Sequence, residues 1–384
     1  MSYVLISDPM PTGTSGDDLI ELSFWGIYDL EEVYEPMIES FQKEHPKIQI
    51  TYKQFPNAEE YHRVLIDQLK EGKGPDILLF PDQRKEEYWS SLTPTSAKIS
   101  EGFAQVAQQD LVEGKLAYAL PLWIDSLVIY YNKAFYPEGI QPQWYDFAEQ
   151  TRDINTGGIA MGRLDNMRYG WDILKALFLQ KNVTLAGPAQ EALFDTLEFF
   201  NRFAYPIDRY YNWNEKLSRD YPDLEVDSFA REKVAAIAGY SSLYHFIQTK
   251  IGQLDEIGFR HLEVDEIGVT TFPQFDPENP HYLAKYFALG VSTSSDHPNE
   301  AWDFIKLLTT PENAEYYQQA TGRTSGRIID ISPEDNALIM AQKAQLSHTG
   351  LMRVSESARE QLEPIIQRGL KDKRLLREVM EISF

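Results

Sequence analysis

Asp82 closes the run Gly74-Pro75-Asp76-Ile77-Leu78-Leu79-Phe80-Pro81, so a carboxylate stands where a strongly apolar segment ends. Pro75 fixes its own φ and biases Gly74 away from helix, while Ile77 to Phe80 form the continuous apolar run that a strand covered on both faces needs. Open α/β sheets place their ligand crevices beyond the carboxyl ends of strands, which sets Asp82 and its neighbour Gln83 at the mouth of one. The competing reading of Asp82 is a helix cap, since Lys85 to Trp89 can begin a helix. A second carboxylate, Asp125, is two residues from Trp123 in Leu-Trp-Ile-Asp-Ser. Strand alternation puts both on one face, and a buried carboxylate there needs a partner or a ligand.

Carboxylates beside aromatic rings suit one kind of ligand well. The chain has 7 Trp, 22 Tyr and 20 Phe, 13% aromatic. Sugar rings present flat C–H faces that stack on such side chains, while carboxylates, amides and guanidinium groups bond the surrounding hydroxyls. The same set also describes glycoside hydrolases, which need two carboxyl groups at a defined separation, one with a raised pKa. Other chemistries find no support. Without cysteine there is no disulfide, thiol nucleophile, thiolate metal site or attachment point for a lipid. His45, His62, His245, His261, His281, His297 and His348 are scattered singly, and no nucleophile elbow, phosphate loop or zinc-protease motif occurs. No metal and no cofactor is therefore expected. A net charge of −23 argues against nucleic acid and anionic lipid as partners.

The elements that must position these residues follow from periodicity. Leu22 to Trp25 is a short strand; Leu30, Val33, Met37, Ile38 and Phe41 mark a helix over Asp29 to His45; Ile48 to Tyr52 is the next strand. Tyr61, Val64, Leu65 and Leu69 mark a second helix running into the Gly-Pro-Asp turn. This β-α-β-α-β order predicts a parallel sheet with helices on its faces. At 384 residues the chain suits two lobes rather than one core. It has 43% hydrophobic residues but no apolar stretch of membrane-spanning length. Thr310-Pro311-Glu312 is a helix start and Gly322 a stop, and Trp302, Ile305 and Leu308 form a core stripe.

Several segments, in order, resemble the extracellular solute-binding proteins of ABC importers, in the sugar-binding branch that includes maltose-binding protein. They are Leu-Ser-Phe-Trp-Gly at 22 to 26, Phe-Gln-Lys-Glu-His-Pro-Lys-Ile-Gln-Ile at 41 to 50, Gly-Pro-Asp-Ile-Leu-Leu-Phe at 74 to 80, and residues 116 to 133. Phe-Ala-Arg-Glu-Lys-Val-Ala-Ala-Ile-Ala-Gly-Tyr at 229 to 240, Ala-Trp-Asp-Phe-Ile-Lys-Leu-Leu-Thr at 301 to 309 and Thr-Gly-Arg at 321 to 323 complete the set. The resemblance implies an α/β, two-lobed periplasmic-binding-protein fold of type II-like arrangement, each lobe a mainly parallel sheet flanked by helices, with the ligand cleft between lobes. It implies no enzyme, but a monomeric receptor that hands a carbohydrate, an oligosaccharide, to the permease subunits of an ABC importer. The alternatives are the same fold carrying a peptide, polyamine or glycerol phosphate, or a sensor for a signalling partner.

The resemblance also divides the chain. Residues 1–17 are expected as a flexible linker, 18–120 plus 266–320 as the first lobe, and 121–265 plus 321–384 as the second. The strand Ile267 to Phe272 is expected to return the chain to the first lobe, joined there by a strand from Ala288 to Ser292. Met1 to Asp18 contain no apolar run of signal-peptide length. The expectation is a mature or trimmed form of an extracytoplasmic protein, at the periplasm or cell surface, whose signal, lipid-bearing cysteine or anchor was removed upstream; a cytosolic relative is the alternative.

Carried over to this sequence, the family's cleft positions fall at Trp25, at Asp82 and Gln83, at Asn166 and Trp171, and at Tyr240, where relatives place a stacking aromatic. Asp125, Tyr286 and Arg323 complete the candidates. Each has a plainer reading: core packing for Trp25, Trp171 and Tyr286, turn chemistry for Asn166, and a surface ion pair for Arg323.

Overall fold

The computed structural model describes residues 19–384 apart from 153, 155, 156, 166, 213–223, 331, 333 and 334. The expected N-terminal linker and the candidate Asn166 lie outside the described residues. The strand Ile20–Ile27, helix Glu31–Glu44, strand Ile48–Phe55, helix Ala58–Lys70 and strand Ile77–Pro81 then follow in the order that periodicity predicts. The first strand pairs in parallel with both others. Helix Ala58–Lys70 begins where the Asn57 side chain accepts the N–H groups of Glu59 and Glu60 at 2.8 and 3.1 Å.

Asp76 of the Gly-Pro-Asp turn holds the sheet's layers in register. Its carboxylate accepts the backbone N–H and the hydroxyl of Ser23, each at 2.8 Å, and the hydroxyl of Ser295 at 2.5 Å. The strand Tyr282–Val291 lies antiparallel to Ile77–Pro81, and Ala119–Ser126 lies antiparallel to it in turn. The first sheet is thus mixed in direction. It buries Phe24, Tyr34, Phe80, Trp302 and Phe304 in one core, and Trp302 also donates its indole N–H to the Thr93 carbonyl at 2.9 Å.

A single residue, Leu127, separates Ala119–Ser126 in this sheet from Val128–Asn132 at the centre of a second. The second sheet is antiparallel throughout, with Ile267–Thr271 on one side of Val128–Asn132 and Ala236–Gly239 on the other. Two expectations are corrected here. This sheet is not parallel, and Ile267–Thr271 does not return the chain to the first sheet. Ile267–Thr271 is instead bonded along its length to Val128–Asn132, and its glycine suits that partner: Gly268 stands opposite Tyr131, and a Cβ added there would meet the ring at 2.2 Å. The glycine leaves room for the aromatic ring to lie across the partner strand. The strand over Ala288 to Ser292 likewise starts earlier, at Tyr282.

The second core gathers Trp144, Phe147, Leu177 and Phe200 with Leu362, Ile365 and Ile366 of the late helix Glu356–Gly369. Helix Ala337–Gln345 fastens the junction between the two sheets with two buried glutamines. Gln342 accepts the Ser126 N–H at 2.9 Å and donates to the Ser126 carbonyl at 2.7 Å. Gln345 donates to the Leu127 carbonyl at 3.1 Å and accepts the Phe272 N–H at 2.8 Å. Thr310 and Gly322 bound the helix Pro311–Thr321 as expected, Gly322 with φ of 69°.

Candidate functional site

Register between the two antiparallel strands of the first sheet builds the site. Phe287 stands opposite Trp123, and Lys285 opposite Asp125, so alternation brings these four side chains to one face and sends Ile124 and Tyr286 to the other. Trp123 and Phe287 stack with centroids 4.4 Å apart and planes 19° from parallel. Tyr28, one residue past the end of the first strand, sets its ring edge on Phe287 at 5.7 Å. It is 51% exposed and has a φ of 73°, a left-handed conformation unusual for an aromatic residue and of the kind that gathers at ligand sites.

The Arg323 guanidinium lies over two of these three rings, 5.3 Å from Trp123 and 5.9 Å from Tyr28. Its position is fixed by an ion pair with the buried Asp29, whose carboxylate also accepts the Tyr34 and Tyr317 hydroxyls at 2.8 Å each. Three aromatic rings and a cation are therefore held side by side on a rigid support.

Next to this platform, Lys285 brings its ammonium to 4.1 Å from the Tyr240 ring centroid and to 2.8 Å from the Asp172 carboxylate. Asp172 also holds Lys175 at 2.5 Å. Burial alone would raise the Asp172 pKa, but the two lysines hold it below the usual carboxylate range. Tyr169 packs edge-on against Tyr240 at 5.1 Å. Tyr240 is only 4% exposed, and its hydroxyl has no partner among the described residues. Burial first, then the charges of Asp172, Asp125 and Asp82, push this phenol well above its ordinary pKa.

Asp125 is engaged by protein. Its carboxylate accepts the Ser241 hydroxyl at 2.6 Å, the Ser241 N–H at 3.1 Å and the Gln342 amide at 2.8 Å. It thereby supplies a carboxylate to the start of the helix Ser242–Glu256 across the strand junction. Burial outweighs these bonds and pushes the carboxyl up to about 6.

Asp82 and Gln83 line a cavity of about 310 Å³, together with Lys175, Lys285, Arg353 and Arg359. Asp82 caps neither short helical turn that follows it; its one described bond is from the Tyr286 N–H at 3.3 Å. At 6% exposure, burial pushes it up to about 6 against the pull of that N–H, Arg353 and Lys285.

The remaining candidates fall elsewhere. Trp25 packs on Phe55 at 5.2 Å beneath the Lys53 ammonium, and shares no described contact with the platform. Tyr286 is wholly buried in the first core, its hydroxyl on Asp110. Trp171 borders the second core with the Arg359 guanidinium 5.3 Å from its ring. Sequence reasoning missed Tyr28, Asp172, Lys175 and Lys285. The lysines left a signal: each is the lone cation in an apolar element, Tyr-Leu-Ala-Lys-Tyr-Phe-Ala-Leu-Gly-Val and Gly-Trp-Asp-Ile-Leu-Lys-Ala-Leu-Phe-Leu-Gln. Among the described residues no group of His, Asp and Glu is placed to hold a metal, and no helix is long and apolar enough to cross a membrane.

Residues 29–315 match the family of bacterial extracellular solute-binding proteins. The chain belongs to that family. No curated protein sequence matches it, but solved structures share its fold. MalE, described as the sugar-binding protein of Xanthomonas citri, superposes with a TM-score of 0.73 at 15% identity, covering 94% of this chain and 95% of that one. A cyclo/maltodextrin-binding protein complexed with maltotetraose gives 0.72 at 17% identity, with 96% of each chain covered. The cyclic α-maltosyl-1,6-maltose binding protein of Arthrobacter globiformis gives 0.72 at 12% identity, covering 94% and 96%. The fold is thus the two-lobed one of periplasmic solute-binding proteins.

Proposed function

We propose that this chain captures a carbohydrate, an oligosaccharide, between its two lobes and delivers it to the permease of an ABC importer outside the cytoplasm. The observation that carries this reading is the platform of Tyr28, Phe287 and Trp123 beside Arg323. Flat rings flanked by fixed polar groups are what the C–H faces and hydroxyl rims of sugar rings require. The saccharides named for the structural relatives point the same way. Asp82, Gln83 and the Tyr240 hydroxyl would bond sugar hydroxyls, and Trp171 would flank them from the second lobe. Asp125 would position the lobes rather than touch the ligand.

The chain acts as a receptor and not an enzyme: it works by closure about the junction at Leu127. A ligand that touches both lobes favours the closed state by its differential affinity and no more, and the permease reads the closed surface. The working form is a monomer held at the cell surface or in the periplasm. A thermal-shift screen against mono- and oligosaccharides, with peptides, polyamines and glycerol phosphates alongside, tests the cargo class. A rise in melting temperature with one saccharide series is expected. A response to a non-sugar class alone would overturn the carbohydrate reading.

A further inference from the structure

The carboxylate that holds Arg323 follows Tyr28 directly in the chain, so two members of the platform group meet at Asp29. Asp29 is 4% exposed and has more partners than an ion pair needs. Its carboxylate accepts the Tyr34 and Tyr317 hydroxyls besides the Arg323 guanidinium, and its backbone carbonyl accepts the Tyr52 hydroxyl at 2.9 Å. These tyrosines converge from three elements: helix Glu31–Glu44, strand Ile48–Phe55 and helix Pro311–Thr321. All three are buried in the first core, out of a ligand's reach. Tyr52 gets to Asp29 by passing Gly26, where a Cβ would stand 2.7 Å from its hydroxyl. Burial pushes the Tyr34 and Tyr317 phenols well above their ordinary pKa, so both remain donors.

A left-handed backbone at a residue with a β-carbon persists only where its surroundings over-determine it. Tyr28 has that backbone, and the residue after it is gripped at carbonyl and carboxylate together. We propose that Asp29 is the positioning residue of the saccharide site: without touching the ligand, it holds the Tyr28 ring through the backbone and the Arg323 guanidinium through charge. The inference rests on the carbohydrate reading and deepens it. Rings and donors already ordered before a ligand arrives need not lose that freedom on binding, and affinity gains accordingly. Without the carboxylate, the guanidinium would keep only its weak bond to the Tyr317 hydroxyl at 3.3 Å, and its aim over Trp123 and Tyr28 would be lost.

Calorimetric titration of the full chain with the saccharide chosen by thermal shift tests this, using Asp29→Asn, Tyr317→Phe and each of these combined with Arg323→Gln. Asp29→Asn is expected to weaken binding about tenfold, and Tyr317→Phe, which deletes one hydroxyl and leaves its ring in the core, by a few-fold. A residue that acts through Arg323 loses most of its effect once Arg323 is gone. Asp29→Asn should therefore cost no more than about two- to threefold in the Arg323→Gln background, a coupling that general loss of stability would not produce. Where Asp29→Asn folds poorly, the Tyr317→Phe cycle gives the same comparison. Unchanged affinity in the single variants, or the same fold loss with and without Arg323, overturns the proposal and leaves the carbohydrate reading standing. Binding of no saccharide by the unaltered chain overturns both.

Discussion

At Tyr28 a large aromatic side chain occupies a φ of 73°, a conformation that glycine adopts at little cost and a β-carbon resists. Tyr28→Gly therefore removes the ring from the platform and relieves the backbone at once. The melting temperature is expected to stay within a few degrees of the original while saccharide affinity falls about tenfold; unchanged affinity by calorimetry would remove Tyr28 from the site. Tyr240 calls for a gentler probe. Because it is buried, truncation to alanine would open a cavity, but Tyr240→Phe deletes only an unpartnered hydroxyl. Stability should hold or rise, and affinity should drop by a few-fold, the worth of about one hydrogen bond. Asp82 makes a prediction about pH. Its folded pKa of about 6 lies above the ordinary carboxylate value, so between roughly pH 4 and 6 the folded chain binds protons that the unfolded chain does not. Asp82 therefore stabilises the fold in its protonated form, and that contribution is lost as pH rises through about 6. Urea unfolding of Asp82→Asn should show a flatter dependence over this window, and an unaltered slope would contradict the burial argument.

Among the elements, the helix Pro298–Leu308 docks Trp302, Phe304 and Ile305 into the first core. Trp302→Ala should cost about 3–5 kcal/mol in urea unfolding, with ligand affinity per folded molecule unchanged; a full-strength midpoint would show that the indole is not part of the core. This helix and the opening β-α-β-α-β series were legible because each buries a face whose period is written in adjacent residues. Asp82 was legible as well, since Pro75 and the apolar run fix where its strand ends. What the sequence concealed depends on partners far away in the chain. Ile267–Thr271 looks like any short apolar strand, and its partner, Val128–Asn132, lies more than 100 residues earlier, where Gly268 makes room for Tyr131. Lys285 looks like a solvated charge until its strand is seen between Asp172 and Tyr240. Asp125 has the composition of a ligand carboxylate, yet Ser241 and Gln342, more than 100 residues away, occupy it.

For the whole molecule, the junction residues Ser126 and Leu127, gripped by Gln342 and Gln345, join two cores that each bury their own apolar side chains. The platform is carried by the first sheet, while Asp172, Lys175 and Trp171 come from a helix of the second core. A saccharide spanning these groups must favour the arrangement that brings them together. Small-angle X-ray scattering of the full chain, with and without a saturating saccharide chosen from the thermal-shift screen, tests that claim most directly. A smaller radius of gyration on saturation is the expected result. A saccharide that saturates the protein by calorimetry yet leaves the scattering curve unchanged would contradict capture between the lobes.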